Sequence, residues 1–356
     1  NTLANFSKTV NMQGISPYSS LLDDFTWHAN ADPDNLSPYY EQLAFDTYLM
    51  PYDEDLEEYW HDMQLDGYEQ QLSRSSYESG YIGEYSLAGA LNFSNFLYLG
   101  TSFGIHAVRY YEDIYHNEVD HDNHVLDFNS FNFREFNSTR GWGFTGRFGM
   151  IVRPMQLLRI GASFQLPTWY WLTDEKYTDM RSTWDNGSGI PEAFEGSPNG
   201  IYDYELQTPW RINANASLIL FELATVSFGY EYVNYSSAKL SAYDYSFYDE
   251  NNEISQDLKS VNNFMAGAEV RLSAFYLRGG ARYYGSPYAD TQIDAESWVF
   301  SGGLGVRTRM GYFDISYSHS NRTDSYGMYS YQPGYFEVST NEINGNNIIC
   351  TLGFKF

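Results

Sequence analysis

The chain has 356 residues and a net charge of −26, and 19% of its residues are aromatic. The acidic balance excludes nucleic acid as a partner, because no basic surface is available to displace counterions from phosphates. A single cysteine excludes a disulfide framework and a multi-thiolate metal site. No stretch of about 18 apolar residues occurs, which excludes a transmembrane helix. The high aromatic content is typical of membrane β-barrels, whose aromatic girdles lie at both bilayer interfaces.

The first 72 residues are acidic and rich in tyrosine, and they lack a strand pattern. Turn-forming residues cluster at 32–35, and a charged run covers 53–58. Apolar residues have a roughly helical spacing at 39–49 and 53–65. We interpret residues 1–72 as a long extracellular loop region, partly irregular or helical, and residues 73–356 as the β-barrel domain.

From residue 73 onwards, apolar and polar residues alternate with a period of two, which predicts strands with one apolar face. About eleven strands are visible, and their connections alternate between short and long. The predicted strands lie near 73–91, 97–111, the segment ending at 150, 158–166, 211–220, 226–232, 264–272, 275–283, 298–307, 313–318 and 347–356. The last strand ends in phenylalanine, like the closing strand of outer-membrane barrels. Its Cys350 falls on the apolar face, which indicates a packed or lipid-facing thiol.

Ten charged residues fall on the face opposite the apolar one. They are Arg147, Arg159, Arg211, Glu231, Glu269, Arg271, Arg278, Arg282, Arg307 and Asp314. An arginine facing lipid costs about 2–4 kcal/mol near the bilayer midplane, so we assign this face to a polar lumen. The sequence therefore predicts an all-β fold, a transmembrane antiparallel β-barrel of the outer-membrane type. A soluble barrel with a solvated outer face is the alternative.

The strand count also predicts the orientation. The C-terminus of such a barrel lies in the periplasm, so the first of eleven strands descends and residues 1–72 lie outside the cell. Bacterial barrels begin in the periplasm and have an even number of strands. We therefore expect an odd number of further strands before residue 1, in an N-terminally incomplete chain.

Five stretches resemble the strands of FadL-type transporters of long-chain fatty acids and other hydrophobic compounds, particularly their Bacteroidetes relatives. They are RIGASFQLPTWY at 159–170, TPWRINANA at 208–216, SFGYEYVNYSSAKL at 227–240, AGAEVRLSAFYLRGGARYYGSPY at 266–288 and GGLGVRTRMGYFDISY at 302–317. The resemblance implies a barrel of 14 strands plugged by an N-terminal hatch, of which the eleven visible strands are the fourth to the fourteenth. The family's hatch and its kinked third strand have no counterpart in this sequence.

The resemblance also implies a ligand site. In the family, the ligand first meets an apolar groove between the third and fourth extracellular loops, which correspond here to about 112–132 and 173–202. The candidate substrate-binding residues are Ile114, Tyr115, Leu126, Phe128, Phe131, Tyr177, Met180, Trp184, Ile190 and Phe194. An apolar groove with few polar groups suits a lipid-like ligand. The alternative is that these residues only pack the two loops onto each other.

Two polar groupings suggest other chemistry. The run from His116 to His124 contains imidazoles and carboxylates of the kind that bind divalent cations. No spacing fixes a coordination geometry there, so we interpret the run as a solvated polar loop and predict no metal site. There is no G-x-S-x-G elbow, and His319, between two serines, is the one grouping that suggests a barrel enzyme acting on lipid.

The sequence thus predicts transport of hydrophobic, long-chain fatty acid-like molecules across the bacterial outer membrane, by passive diffusion through a gated barrel. We expect no enzymatic activity and no cofactor. The alternative is a barrel-shaped docking or assembly component of an outer-membrane or secretion complex. The expected partners are membrane lipid and lipopolysaccharide, a hydrophobic small-molecule substrate and, on the alternative hypothesis, a partner outer-membrane protein.

Overall fold

The computed structural model describes residues 2–185, 187, 189–190, 192–221, 223–290, 295–329 and 338–354. Its strands are β1 (Thr2–Ser16), β2 (Tyr52–Asp53), β3 (Glu58–Tyr59), β4 (Gln70–Phe93), β5 (Leu97–Val119), β6 (Phe128–Met155), β7 (Leu158–Gln165), β8 (Trp169–Trp184), β9 (Ala193–Gly196), β10 (Gly200–Gln207), β11 (Arg211–Leu220), β12 (Ala224–Asn234), β13 (Lys239–Ser241), β14 (Ser260–Leu272), β15 (Phe275–Tyr284), β16 (Ser297–Arg307), β17 (Gly311–Gly327) and β18 (Val338–Phe354). Its helices are α1 (Leu21–Ala31), α2 (Glu41–Asp46), α3 (Asp62–Asp66), a 3-10 helix (Tyr235–Ser237) and α4 (Tyr248–Asp257).

Twelve strands form one continuous antiparallel series in the order β1, β4, β5, β6, β7, β11, β12, β14, β15, β16, β17 and β18. Each strand pairs with the strands before and after it, which is the up-and-down arrangement of barrel walls. Within the described residues no pairing joins β1 to β18. The predicted all-β antiparallel fold of the outer-membrane type is confirmed, and all eleven predicted strands are present.

The twelfth strand, β1, lies where the sequence analysis predicts loop, and that prediction is wrong for residues 2–16. β1 pairs with the first half of β4, from Ser16 opposite Gln70 to Thr2 opposite Gly83. The apolar alternation of β4 begins only after this half, at Tyr85. In β1, Phe6, Val10 and Met12 do alternate with polar residues, but the register with β4 places them on the inner face and not on the lipid-facing one. The rest of the 1–72 region contains the helices α1, α2 and α3.

The connections alternate between short and long, as predicted. The connections at one end are tight, at 94–96 after β4, 156–157 after β6, 273–274 after β14 and 308–310 after β16. Ser94 and Asn95 both adopt positive φ angles, 53° and 57°, the conformation of the two central residues of a type I′ turn. The opposite end carries the long connections, such as the one from β12 to β14.

One face of the series, the outer face, exposes apolar side chains on every strand from β4 to β18. One example from each strand in order is Leu87, Phe103, Phe148, Ile160, Ile212, Phe228, Phe264, Leu277, Leu304, Ile315 and Leu352. We call this continuous surface the apolar belt. Leu87 is 80% exposed and Leu352 is 65% exposed. Such a surface far exceeds the patches that soluble monomers expose, and it matches the outward band of a membrane barrel. Cys350 lies in the belt, opposite Ile315, and is exposed. Of the two predicted positions, packed or lipid-facing, the structure therefore excludes the packed one.

Strands β5, β6 and β8 continue well past the apolar belt. β5 and β6 remain paired up to Val119 and Ser130, and β8 pairs with β6 from Trp169 to Trp184. The predicted loops at 112–132 and 173–202 are therefore wrong for most of their length. These segments have polar and aromatic residues on both faces, since neither face contacts hydrocarbon, and the period-two signal is lost.

Two prolines divide two neighbouring long strands, of which the first lies next to β6. β7 ends at Gln165 and β8 begins at Trp169, with Pro167 between them, and Pro209 separates β10 from β11 in the same way. Proline lacks the N–H that a sheet ladder requires, so pairing is interrupted at both sites. Thr168 and Thr208 bridge the gap, since the N–H of Thr208 donates to the carbonyl of Thr168 at 2.9 Å.

Candidate functional site

The helical segment 20–68, which we call the cap, covers the inner face of the sheet at the end with the long connections. The inner face is the face opposite the apolar belt. The buried cluster between cap and wall contains Leu21, Leu22, Phe25, Ala29, Leu43, Ala44, Leu49, Met50, Tyr59 and Met63 from the cap and Val125, Phe128, Phe131, Phe133 and Met180 from the wall side. Phe25 packs edge-on against Phe133, with ring centroids 5.5 Å apart. None of the described helices is long and apolar enough to cross a membrane.

The structure divides the ten predicted groove residues. Phe128, Phe131 and Met180 are buried in the cluster under the cap, and Trp184 packs against it. Ile114 is buried on β5 but is not part of that cluster. The other predicted residues lie elsewhere: Tyr115, Leu126 and Phe194 are exposed, and Tyr177 and Ile190 are partly buried. The division follows strand geometry, because successive side chains point to opposite faces.

The cap is anchored by a carboxylate at the start of α1. Ser20 is the N-cap of α1, and its hydroxyl donates to Glu118 Oε2 at 2.7 Å. The N–H of Leu21 donates to Glu118 Oε1 at 2.8 Å. Glu118 lies on β5 and is completely buried. A negative charge at the positive end of the helix dipole, with two hydrogen bonds, fixes the position of α1 on the wall.

His116 completes this anchor, since its Nε2 lies 2.9 Å from Glu118 Oε1 and its ring is fully buried. The interpretation of the run from His116 to His124 as a solvated loop is therefore wrong at its start. His116 and Glu118 are two residues apart on a strand, so both side chains point inward under the cap. Within the residues that the structure describes, no group of three or more metal-ligating side chains is placed to hold an ion.

A second buried pair holds the cap together internally. Asp23 Oδ1 lies 3.0 Å from His61 Nε2 and accepts a hydrogen bond from the Tyr68 hydroxyl at 2.8 Å. Burial alone would raise the pKa of Asp23, but the hydrogen bond and charge of His61, with hydrogen bonds from Ser20 and Tyr68, hold it below its usual value. Asp23 is therefore ionised at neutral pH and links α1 to the segment around α3.

Below the apolar cluster, the cap meets a polar part of the wall. The Tyr40 hydroxyl donates to Glu135 Oε1 at 3.1 Å, and Lys176 Nζ lies 3.1 Å from the same oxygen. Lys176 also hydrogen-bonds Tyr40. Burial would lower the pKa of Lys176, but the charge of Glu135 and the contact with Tyr40 raise it. This triad adds a charged attachment between the cap, β6 and β8.

Deeper on the inner face lies a cluster that the sequence analysis missed, apart from Arg147. His106 Nδ1 lies 2.6 Å from the Tyr170 hydroxyl, and its Nε2 is 3.8 Å from Glu84 Oε1. Arg147 forms an ion pair with Glu84, which is buried. The available signal was the position of Glu84 and His106 on the polar side of their strands, where small residues such as Ser86 and Gly104 are their neighbours.

The ten predicted lumen residues all lie on the inner face according to strand register. Arg278 forms two ion pairs, with Glu269 Oε2 at 2.6 Å and with Asp314 Oδ1 at 2.7 Å. Glu231 accepts a hydrogen bond from Asn263, and Arg282 donates to Tyr284. Arg271 and Arg307 lie over the ring of Tyr276, and Arg159 and Arg211 lie on the inner face of β7 and β11. The inner face is thus polar where these residues lie, and Arg147 and Arg278 are paired there with carboxylates.

His319 does not form a catalytic grouping with its serine neighbours. It lies on the outer face with Ile315 and Tyr317, and its Nδ1 is 3.0 Å from Asn346 Oδ1. Ser318 and Ser320 point to the opposite face, because alternate residues of a strand do so. The structure therefore gives the lipid-hydrolysis hypothesis no assembled site at this position.

No family model matches the chain, and no curated protein matches it. Several solved structures are similar to this chain. A Pseudomonas aeruginosa FadL homologue has 12% identity and a TM-score of 0.49, over 80% of this chain and 74% of its own. The P. putida toluene transporter TodX has 9% identity and a TM-score of 0.46, over 98% and 78%.

The third similar structure is the Ralstonia pickettii toluene transporter TbuX, with 14% identity and a TM-score of 0.43, over 81% of this chain and 69% of its own. All three identities lie below 25%, and all three TM-scores lie below 0.5. At such identities and TM-scores these similarities carry no argument about what this chain binds. The architecture rests on the strand order and the apolar belt.

Proposed function

We propose that this chain is a bacterial outer-membrane barrel that admits hydrophobic small molecules, of the polarity of a long-chain fatty acid, by passive diffusion gated by the cap. In this arrangement the tight turns face the periplasm and the cap faces the outside. The apolar belt and the polar inner face are the observations that favour a barrel. The cap is the observation that favours a gate. Membrane lipid and lipopolysaccharide surround the belt.

One observation carries the proposal. Phe128, Phe131, Met180 and Trp184, predicted to form an apolar groove, converge at the capped end of the inner face. In this structure, cap side chains such as Phe25 cover them. An apolar ligand makes the same kind of contact, so ligand and cap compete for one surface. Entry of a ligand therefore requires partial displacement of the cap, and the cap's polar anchors set the cost of that displacement.

A test measures saturable binding and uptake of a fluorescent long-chain fatty acid by the full chain, reconstituted in vesicles. Phe131→Asp is expected to abolish both, because it places a charge on the apolar surface. Phe25→Ala on the cap is expected to raise the uptake rate, because it weakens the competing cover. Leu126→Asp is the control, since Leu126 is exposed and lies outside the cluster.

Phe131→Ala keeps the test valid if the charged variant does not insert, and heat-modifiable gel mobility reports insertion of each variant. Wild-type protein without saturable binding, or Phe131→Asp and Phe131→Ala with wild-type uptake, would contradict the proposal.

The second candidate function, docking of a partner protein, is favoured by the segment around α4. This helix is acidic in its first turn and has no buried residue. Tyr243, Tyr245 and Tyr248 nearby are exposed, at 106%, 57% and 70%. Exposed tyrosine is enriched at protein interfaces. Gentle detergent extraction tests this function: a stoichiometric partner lost on deletion of residues 242–257 supports docking, and an unaccompanied protein argues against it.

A further inference from the structure

Two tryptophans stack on each other on the outer face, just past the apolar belt. Trp142 on β6 and Trp171 on β8 are direct cross-strand neighbours, with ring centroids 4.3 Å apart and ring planes 21° apart. They are 52% and 38% exposed. The indole N–H of Trp171 donates to Glu205 Oε1 at 3.0 Å, which fixes its orientation. The pair forms a rigid aromatic platform open to the outside.

The platform forms part of an open cavity of about 880 Å³. The strand row past the tryptophans contributes Arg109, Arg140 and Asp203 to the lining. Tyr81 and Tyr243 lie at its two sides on β4 and after β13. On the other side of the platform, Phe144 and Trp169 belong to the apolar belt. The cavity therefore lies where the lipid-facing surface gives way to a charged one.

The polar groups of the cavity are held in place by neighbours. Arg140 Nη2 lies 2.8 Å from Glu175 Oε1, and Arg109 Nη1 donates to the Tyr111 hydroxyl at 3.0 Å. The Thr173 hydroxyl donates to Asp203 Oδ1 at 2.6 Å. Each guanidinium has five N–H donors and each carboxylate about four acceptor positions, so further hydrogen bonds remain possible towards the cavity.

This combination defines the chemistry of a ligand. Two guanidinium groups and two carboxylates line the same cavity, so neither a simple anion nor a simple cation is matched. A hydroxyl group both donates and accepts, and it suits carboxylate and guanidinium alike. The C–H face of a sugar ring carries partial positive charge and packs on the negative face of an aromatic ring. A saccharide therefore suits both the charged part of the cavity and its aromatic part.

We propose that this outer-face cavity binds a saccharide ring of a glycan at the membrane surface. The ring packs on a free face of the Trp142–Trp171 stack, and its hydroxyls bond Asp203, Glu205, Arg109 and Arg140. Two sources present this chemistry at that level: the headgroup of a surrounding glycolipid and a soluble cell-surface polysaccharide. The proposal concerns the outer face and does not depend on what passes the inner face.

The test titrates the full chain in detergent micelles by calorimetry with two probes. One is the lipid-free core oligosaccharide released from rough lipopolysaccharide by mild acid, and the other is the intact rough lipopolysaccharide. Trp171→Ala is expected to lower the affinity by about tenfold, because the aromatic platform is halved. Glu205→Gln, which preserves packing, is expected to lower it severalfold. Trp169→Ala is the matched control, since Trp169 lies on the same strand and face, two residues away in the belt.

Saturable binding of the free oligosaccharide, lost in Trp171→Ala and kept in Trp169→Ala, shows that the sugar alone is sufficient for binding, as recognition of a soluble polysaccharide requires. Binding of intact lipopolysaccharide alone, with the same variant pattern, identifies the glycolipid headgroup. Absence of saturable binding to both probes would overturn the proposal. So would equal losses in Trp169→Ala and Trp171→Ala, since the belt would then account for the binding.

Discussion

Glu118→Ala is expected to release α1 from the wall while the strands remain paired. The carboxylate is fully buried and receives hydrogen bonds from Ser20 and Leu21 at 2.7 and 2.8 Å. Removal leaves the helix N-terminus and His116 without their charged partner in a dry site. Loss of one partner of a buried ionic contact costs about 3–5 kcal/mol. Hydrogen exchange of the amides in α1 measures this cost, and we expect it to accelerate by more than about a hundredfold.

Two variants make this result specific. Glu118→Gln keeps one oxygen that can accept from the Leu21 N–H, but it replaces the other oxygen by an NH2 group that only donates, and it removes the charge, so it is expected to give an intermediate acceleration. Asp122→Ala removes an acidic side chain close in sequence, from an exposed position, and is expected to leave α1 unchanged. Wild-type exchange of α1 in Glu118→Ala would show that the apolar cluster alone holds the cap, and the anchor would lose its assigned role.

Ile315→Arg is expected to destabilise the inserted protein by about 2–4 kcal/mol, because it places a charge in the apolar belt. Ile315 lies between Leu304 and Cys350 on the outer face. Its neighbour Ser316 points to the inner face, opposite Gly303, so Ser316→Arg is expected to cost little. Reversible denaturant unfolding in lipid vesicles measures both values.

Ile315 and Ser316 are adjacent on one strand, receive the same substitution and point to opposite faces. The difference between the two costs therefore reports the difference between the faces. Equal costs for the two variants would be incompatible with one lipid-facing and one water-facing surface. A larger cost for Ser316→Arg would reverse the assignment of the two faces.

The strands of the apolar belt were predictable because one physical requirement acts on each of them. A strand between lipid and water must alternate, as Leu277 and Arg278 or Leu304 and Gly305 do, and this signal is local. β1 and the far ends of β5, β6 and β8 lie outside the belt. The far ends of β5, β6 and β8 contain no comparable signal, because both of their faces meet water, protein or the cap. In β1 the alternating apolar residues, such as Val10 and Met12, lie on the inner face and not on the lipid-facing one.

The cap was less predictable because long-range contacts hold it. Ser20 and Glu118 are 98 residues apart, and Tyr40 reaches Glu135 across 95 residues. Nothing in the spacing of the acid and histidine run shows that Glu118 receives a helix N-terminus. Apolar composition did select Phe128, Phe131 and Met180, which meet under the cap, but it also selected Leu126 and Phe194. Which side of a strand faces the cap depends on pairing, and composition alone does not provide it.

The contact between Trp142 and Trp171 could not be predicted for the same reason, since it depends on strand pairing. The two residues are far apart in the sequence and become neighbours only through the register between β6 and β8. β7 ends just before Pro167, and β8 then continues the pairing with β6. Composition alone predicts a girdle of aromatic residues, whereas the register places two of them in contact at the edge of a charged cavity.

The single native cysteine provides the most direct measurement of which face meets lipid. A fluorophore on Cys350, in protein reconstituted in vesicles, is expected to be quenched by lipids brominated in their acyl chains and to be insensitive to iodide in the water. In the Cys350→Ser, Thr351→Cys variant the label lies on the inner face. It is then expected to be quenched by iodide and to be insensitive to brominated lipid. Quenching of the Cys350 label by iodide, with none by brominated lipid, would contradict a lipid-facing belt and the barrel built on it.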